Sequence, residues 1–316
     1  MTAQSPAKSE LEKKIKSFME YLEVERGSSP LTLRNYHHYL NRLVEWMRAG
    51  NVSECMASIT QDSIRAYRVY LSRLPDGKGG TLSRRTQGYH IIALRSFLRW
   101  LIKNDNEVMS PDKLDLPKVK DRQVKFLSGE QVDRMLSAPT LSSLNGKRDK
   151  AILEILFSTG LRVSELVRLN RDTIDFERRE FGIVGKGGRA RVVFLSARAS
   201  EWVQQYIAAR KDHFKPLFIR HKGKIEPTTE DEDMRLNVRS VQRLVKKYAK
   251  KMKIPVDVTP HVMRHSFATD LLIAGADLRS VQEMLGHKNV ATTQIYTHVT
   301  NKQLREVHER FHGKKD

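Results

Sequence analysis

The chain has 316 residues, enough for two domains of ordinary size. Its 57 Lys and Arg against 37 Asp and Glu leave a formal charge of +20, an excess that points to a polyanionic partner, nucleic acid above all, with a solvated basic surface as the plainer reading. The single cysteine, Cys55, excludes an internal disulfide framework and suits a reducing cytoplasm; no apolar run approaches the roughly 18 residues of a membrane span, and Met-Thr-Ala-Gln-Ser-Pro lacks the apolar core of a secretion signal, so no membrane partner is expected.

Residues 1 to about 110 read as helices. Leu11 to Val24 is amphipathic; Ser29 and Pro30 then supply a cap and a first-turn proline. The apolar residues Leu33, Tyr36, Leu40, Leu43, Val44 and Met47 follow a 3.6 period. Ile59-Thr60 leads into a helix from Ile64 to Leu74, the run Asp76-Gly77-Lys78-Gly79-Gly80 is a loop, and Ser83 caps a long helix through Leu101. Asn104 to Lys125 carries two prolines and alternating charges without periodicity, which reads as an interdomain linker. The predicted division is a helical domain over 1–110, a linker over 111–126 and a second domain over 127–316. Ser128-Gly-Glu-Gln131 has the form of a capping box and opens that second domain. Up to Asp115 the chain has 18 basic and 13 acidic residues, net +5; after it 39 and 24, net +15.

The second domain reads as mainly helical with a small antiparallel sheet. Thr173 to Phe176, Glu180 to Val184 and Arg191 to Leu195 are the predicted strands, with Gly185-Lys186-Gly187-Gly188 as the turn between the last two. Glu230 to Asp233 reads as an exposed acidic loop.

Chemistry is concentrated in this second half. Thr159-Gly160-Leu161-Arg162-Val163-Ser164-Glu165-Leu166 puts Arg162 and Glu165 three apart on a predicted helix, hence on one face. Glu165 would orient the guanidinium or pair with it as an ordinary surface ion pair. The run from Thr259 to Thr269 places Arg264 three after His261. A phosphoryl transition state spreads charge over its non-bridging oxygens, and planar forked donors match that shape better than lysine does. Histidine serves as acid, base or donor near neutral pH. His261 and His265 would also suit zinc, but Arg264 would sit against the metal and neither a His-Glu-x-x-His motif nor a cysteine pair is present, so the predicted metal set is none. Tyr296 is a core residue or a nucleophile; a phenol with a pKa of about 10 needs neighbouring arginines to favour its phenolate. Lys186 solvates a turn, or donates a proton to a leaving oxygen from a flexible stem. No Walker loop occurs, and no cofactor is predicted.

Taken in order, Arg162, Lys186, His261-Val-Met-Arg264, Leu285-Gly-His287 and Ile295-Tyr296-Thr-His resemble the active-site motifs of the tyrosine recombinases, the integrase family, and most of all the Xer recombinases. The resemblance covers nearly the whole chain, including Arg26 to Tyr36 near the start of the first domain. Met263, Asp270 and Phe194 depart from the usual leucine, histidine and proline, and Glu226 to Leu236 resembles an insertion. The family resemblance implies a helical, SAM-like core-binding domain and a catalytic domain forming a C-shaped clamp on double-stranded DNA. It implies that Tyr296 is the nucleophile, that Arg162, Arg264 and His287 stabilise the transition state, that His261 is general acid and base, and that Lys186 is the acid on the leaving oxygen, with Glu165 in support. The partners it implies are a recombination site and three further subunits, as a homotetramer or a heterotetramer with a sibling recombinase, with a DNA translocase as activator. The helix after Tyr296 would dock on a neighbouring subunit or on its own. Arg34, Arg84, Arg85 and Arg95 are the predicted DNA contacts of the first domain. The first domain's start near residue 10 favours exchange between simple sites, hence resolution of chromosome or plasmid dimers during chromosome partition; integration of a phage or other mobile element is the alternative. A non-catalytic DNA-binding protein and a type IB topoisomerase-like enzyme are the readings from other classes.

Overall fold

The computed structural model describes residues 9–77, 79–117, 125–185, 188, 190–221, 223, 226 and 228–286. Two compact units divide the chain, residues 1–122 and 123–316. Both are mainly helical.

The first unit is made of α1 (Glu10–Val24), α2 (Pro30–Ala49), α3 (Gln61–Arg73) and α4 (Arg84–Lys103). Each helix starts on a hydroxyl cap: Ser9, Ser29, Thr60 and Ser83 accept from backbone N–H groups that the first turn cannot satisfy internally. Ser9 and Glu12 close a reciprocal capping box. The apolar faces meet in one core, in which Phe18 packs 5.4 Å from Phe97 and 5.5 Å from Trp100. The charged stretch after α4 returns to this core. Ser110 caps a 3-10 turn, Pro111–Lys113, and both Pro111 and Leu114 are buried. One leucine in a polar run has no periodicity to reveal it, so burial here is decided by the surface it meets.

The second unit is organised around α6 (Leu144–Thr159). Ala151, Ile152, Leu153, Ile155 and Leu156 are all fully buried, and α5 (Gly129–Ser137), α8 (Ala197–Ala209), α10 (Val238–Lys251) and α11 (Pro260–Ile273) pack around the helix. A helix covered on every side has no polar stripe. Its charges are buried only in paired form: Lys150 bonds Glu154 at 2.7 Å and the Leu136 carbonyl at 2.7 Å, and Asp149 accepts from Arg148 and from Tyr248 Oη at 2.9 Å. The expected capping box of Ser128 and Gln131 opens α5.

The sheet has two strands, β1 (Glu180–Val184) and β2 (Ala190–Phe194), antiparallel with Glu180 opposite Phe194 and Val184 opposite Ala190. The expected strand at Thr173 to Phe176 is instead a turn. Asp175 and Glu180 exchange backbone hydrogen bonds of 3.0 and 3.1 Å, while the Asp175 carboxylate accepts from the N–H groups of Glu177 and Arg178. The carboxylate thus competes with ladder pairing, and the buried Ile174 produces the apolar signal without a strand.

The acidic run is likewise not a loop. Glu230 stands at the N-cap of α9 (Asp231–Met234), and its N–H donates to the Asp233 carboxylate at 3.2 Å, a negative charge in the first turn, where it suits the positive end of a helix. Met234 is buried with Phe214 and Ile219. Arg235 donates to the carbonyls of Val167 and Leu169 at 3.0 and 3.2 Å, and Leu236 N–H to that of Phe218 at 2.9 Å. The end of the insertion-like segment is therefore anchored in the unit. Among the described residues no helix is long and apolar enough to cross a membrane.

Candidate active site

Two helix ends build the site. α6 stops at Gly160 and α12 (Leu278–Leu285) at Gly286, both in the left-handed conformation with φ of +57° and +64°. A Cβ at Gly160 would stand 2.5 Å from Phe267 Cδ1, and one at Gly286 would stand 3.0 Å from Arg191 Nη1. Glycine is therefore required twice, for backbone sign and for close approach. The carbonyls left unpaired at these ends carry the negative end of each helix dipole, and arginines fill them. Arg264, only 2% exposed, donates from Nη1 to the Gly160 carbonyl at 2.7 Å and from Nη2 to the Leu285 carbonyl at 2.5 Å. Arg162 Nη2 donates to the next carbonyl, that of Gly286, at 3.2 Å. The two arginines expected from sequence thus converge on consecutive residues of one chain segment.

Arg162 is not within a helix but at the N-cap of the four-residue α7 (Val163–Leu166). Glu165 folds back on it: its carboxylate accepts the Arg162 backbone N–H at 2.9 Å and Nη1 at 2.8 Å. Glu165 is buried, so it orients the guanidinium and is no surface pair. Arg191, on β2, was not singled out by sequence reasoning. It grips the same carboxylate with Nη1 at 3.2 Å and Nη2 at 2.9 Å. Burial raises the Glu165 pKa, and the hydrogen bonds from Arg191 and Arg162 outweigh it and hold the carboxyl below its ordinary value.

His261 lies in the first turn of α11, whose start is fixed by the Thr259 cap and Pro260. Burial lowers its pKa, and the cations of Arg264 and Arg162 lower it further, so both arginines act on this ring. His265 meets it edge-on at 4.6 Å, and its own pKa is pushed down to about 4 by burial, then by His261 and Arg264. Ser266 ties α11 to the unit's first residues by accepting from Leu127 N–H at 2.8 Å. Lys186, His287 and Tyr296 lie outside the described residues. Among the described residues no group of three His, Cys, Asp or Glu is placed to hold a metal ion.

In the first unit, Arg34, Arg84 and Arg85 are exposed. Arg84 lines a cleft beside Arg68, Gln87 and Pro117. Arg95 is half-buried and approaches Asp112 at 3.6 Å, so it offers less charge to solvent than the other three. In the second unit α10 exposes Arg239, Arg243, Lys246, Lys247 and Lys250 along its solvent side, a stripe legible in the helical spacing of these basic residues yet not picked out by motif.

The chain belongs to the phage integrase family, the tyrosine recombinases: residues 125–303 match the family's own model, and residues 15–105 match its N-terminal SAM-like domain. It is 34% identical over 303 residues to the tyrosine recombinase XerC of Pelotomaculum thermopropionicum, covering 94% of this chain and 97% of that one. It is 34% identical over 299 residues to the tyrosine recombinase XerD of Lacticaseibacillus casei, covering 94% and 98%. The fold is shared with the Tn1549 transposon integrase solved in complex with transposon right end DNA, at a TM-score of 0.70 and 21% identity over 95% of this chain and 99% of that one.

Proposed function

We propose that the protein is a site-specific DNA recombinase of the Xer type, cutting and rejoining double-stranded DNA through a 3′-phosphotyrosyl intermediate. Tyr296 Oη attacks the scissile phosphorus as the bond to the 5′ oxygen breaks. His261 takes the phenolic proton, and its lowered pKa keeps it neutral and able to do so at pH 7. Lys186 protonates the departing oxygen. Arg162, Arg264 and His287 hold the non-bridging oxygens as their charge develops. The 5′-hydroxyl of the partner strand then attacks the phosphotyrosine, and a second pair of exchanges resolves the Holliday junction. Each step replaces one phosphate ester with another, so bond energy is retained and ATP is not needed.

The observation that carries this reading is the convergence of Arg162 and Arg264 on the Leu285 and Gly286 carbonyls, directly before His287 in the chain. Arg264 donates to two backbone carbonyls, and Arg162 to one carbonyl and to Glu165; two forked cations against that one carboxylate leave positive charge for an anionic substrate. In this reading residues 1–110 form the core-binding domain, 111–126 the linker and 127–316 the catalytic domain. Arg34, Arg84, Arg85 and the α10 stripe contact phosphates. Four subunits act on two sites, as a homotetramer or with a sibling recombinase, under a DNA translocase. The Xer names of relatives at a third identity support resolution of chromosome or plasmid dimers over integration of a mobile element.

The test is a nicked duplex carrying the native site, incubated in EDTA and run on a denaturing gel. A protein–DNA adduct that forms with wild type and vanishes in Tyr296→Phe is expected. Tight binding with no adduct, with and without a sibling recombinase, would leave a non-catalytic DNA-binding protein.

A further inference from the structure

Resting on the recombinase reading, we infer that Arg191 is a positioning residue for strand cleavage: by neutralising Glu165 it leaves the positive charge of Arg162 free for the scissile phosphate, and by its fork it fixes where that charge is held.

The argument is one of charge and lone pairs. Glu165 alone with Arg162 would be a neutral pair, and a neutral pair attracts an anionic transition state weakly. With Arg191 the cluster is two cations to one anion, a net +1. The carboxylate has about four lone-pair sites, and four N–H groups occupy them: the backbone N–H and Nη1 of Arg162, and Nη1 and Nη2 of Arg191. Glu165 therefore cannot take both prongs of Arg162, whose Nη2 goes to the Gly286 carbonyl instead. Exposure separates the roles: the Arg191 side chain is 11% exposed and that of Arg162 32%. Arg191 faces the interior and Arg162 the outside. Arg191 also lies against Gly286, where a Cβ would stand 3.2 Å from its Cδ, so the same side chain supports both the carboxylate and the carbonyl that hold Arg162. Its Nε, buried and without a hydrogen-bond partner among the described residues, is tolerable only because the fork to Glu165 is fully engaged.

The experiment compares full-length wild type with Arg191→Met and Arg191→Lys. The native site is first selected from genomic fragments of the source organism by retention on Tyr296→Phe protein. Adduct formation is timed on a nicked duplex of that site and on the same duplex with a methylphosphonate at the scissile position, where one non-bridging oxygen charge is absent. With DNA affinity and melting temperature close to wild type, Arg191→Met is expected to slow the adduct about 100-fold on phosphate but only about threefold on methylphosphonate, since there is less charge to balance. Arg191→Lys restores charge without the fork and should fall between, about tenfold slow. Should Arg191→Met be poorly folded, Arg191→Lys carries the same comparison. A wild-type rate for both variants on phosphate, or equal loss on both substrates, would overturn the inference. Wild type that binds the selected site and forms no adduct would overturn the recombinase reading itself, and the Arg191 role with it.

Discussion

His90 shows how burial turns one side chain into a pH response. It is 1% exposed on α4, with Nδ1 donating to the Thr86 carbonyl at 2.9 Å and Nε2 accepting from Arg42 Nη1 at 3.2 Å. Both nitrogens are used by the neutral ring, and a second proton would point at a guanidinium. Its pKa is accordingly pushed down to about 4, by burial first, with Arg42 and His38 adding to it against the Thr86 bond. The folded pKa lies below the unfolded value of about 6.5, so the unfolded state binds more protons between them. The contribution is complete above pH 6.5 and is lost as pH falls through 4. Going from pH 7 to pH 5 should cost about 2 kcal/mol at this site. Urea titrations followed through Trp46 and Trp100 should show it, and His90→Asn should flatten the profile; an equally steep profile in the variant would refute the assignment. At this same scale the relation of Arg162 to Glu165 was legible, because a spacing of three brings two residues together on a helical face and equally, as here, across an N-cap and the third residue after it. That of Arg191 to Glu165 was not: 26 residues separate them, and only the packing of β2 beside α7 makes them partners.

Helix ends carry much of what the elements contribute. The starts of α1 to α5 are readable from a hydroxyl cap and its spacing, since a cap acts over three residues. The ends at Gly160 and Gly286 matter more for chemistry, because their carbonyls hold the arginines. Gly160→Ala must place a Cβ in a left-handed backbone and 2.5 Å from the Phe267 ring. The expected loss is about 2–4 kcal/mol of stability from strain and overpacking together, with slower cleavage in the protein that still folds, as Arg264 follows its displaced carbonyl. A melting temperature and adduct rate both unchanged would show that the helix end does not set the arginine's position. Where elements were misread, at Thr173 to Phe176 and Glu230 to Asp233, a carboxylate captured backbone N–H groups in a turn or a short helix. Such local capture competes with the pattern of apolar residues and is invisible to it.

Across the whole molecule, charge sets how the protein meets its substrate. A +20 chain that neutralises phosphates must bind DNA with a steep salt dependence. Each lost phosphate contact removes about 0.9 from the slope of log K against log salt, so Arg84→Ala with Arg85→Ala should lower it by about 2 while leaving the ranking of sites unchanged. A slope identical to wild type across about 50–200 mM salt would remove these two residues from the interface.

The sequence by itself determined the helical class, the caps, the two-part division of patterning and the ordered motif that named the family, because all of these depend on residue type and short-range spacing. The tertiary structure alone decided which charges are buried, which carbonyls receive the arginines, and that Leu114 and Met234 belong to cores. The physical reason is range: a cap or a helical face is set within one turn, whereas a buried guanidinium is stable only if partners distant in the chain arrive with the right lone pairs, and Arg191, Glu165 and Gly286 meet only when the second unit has folded.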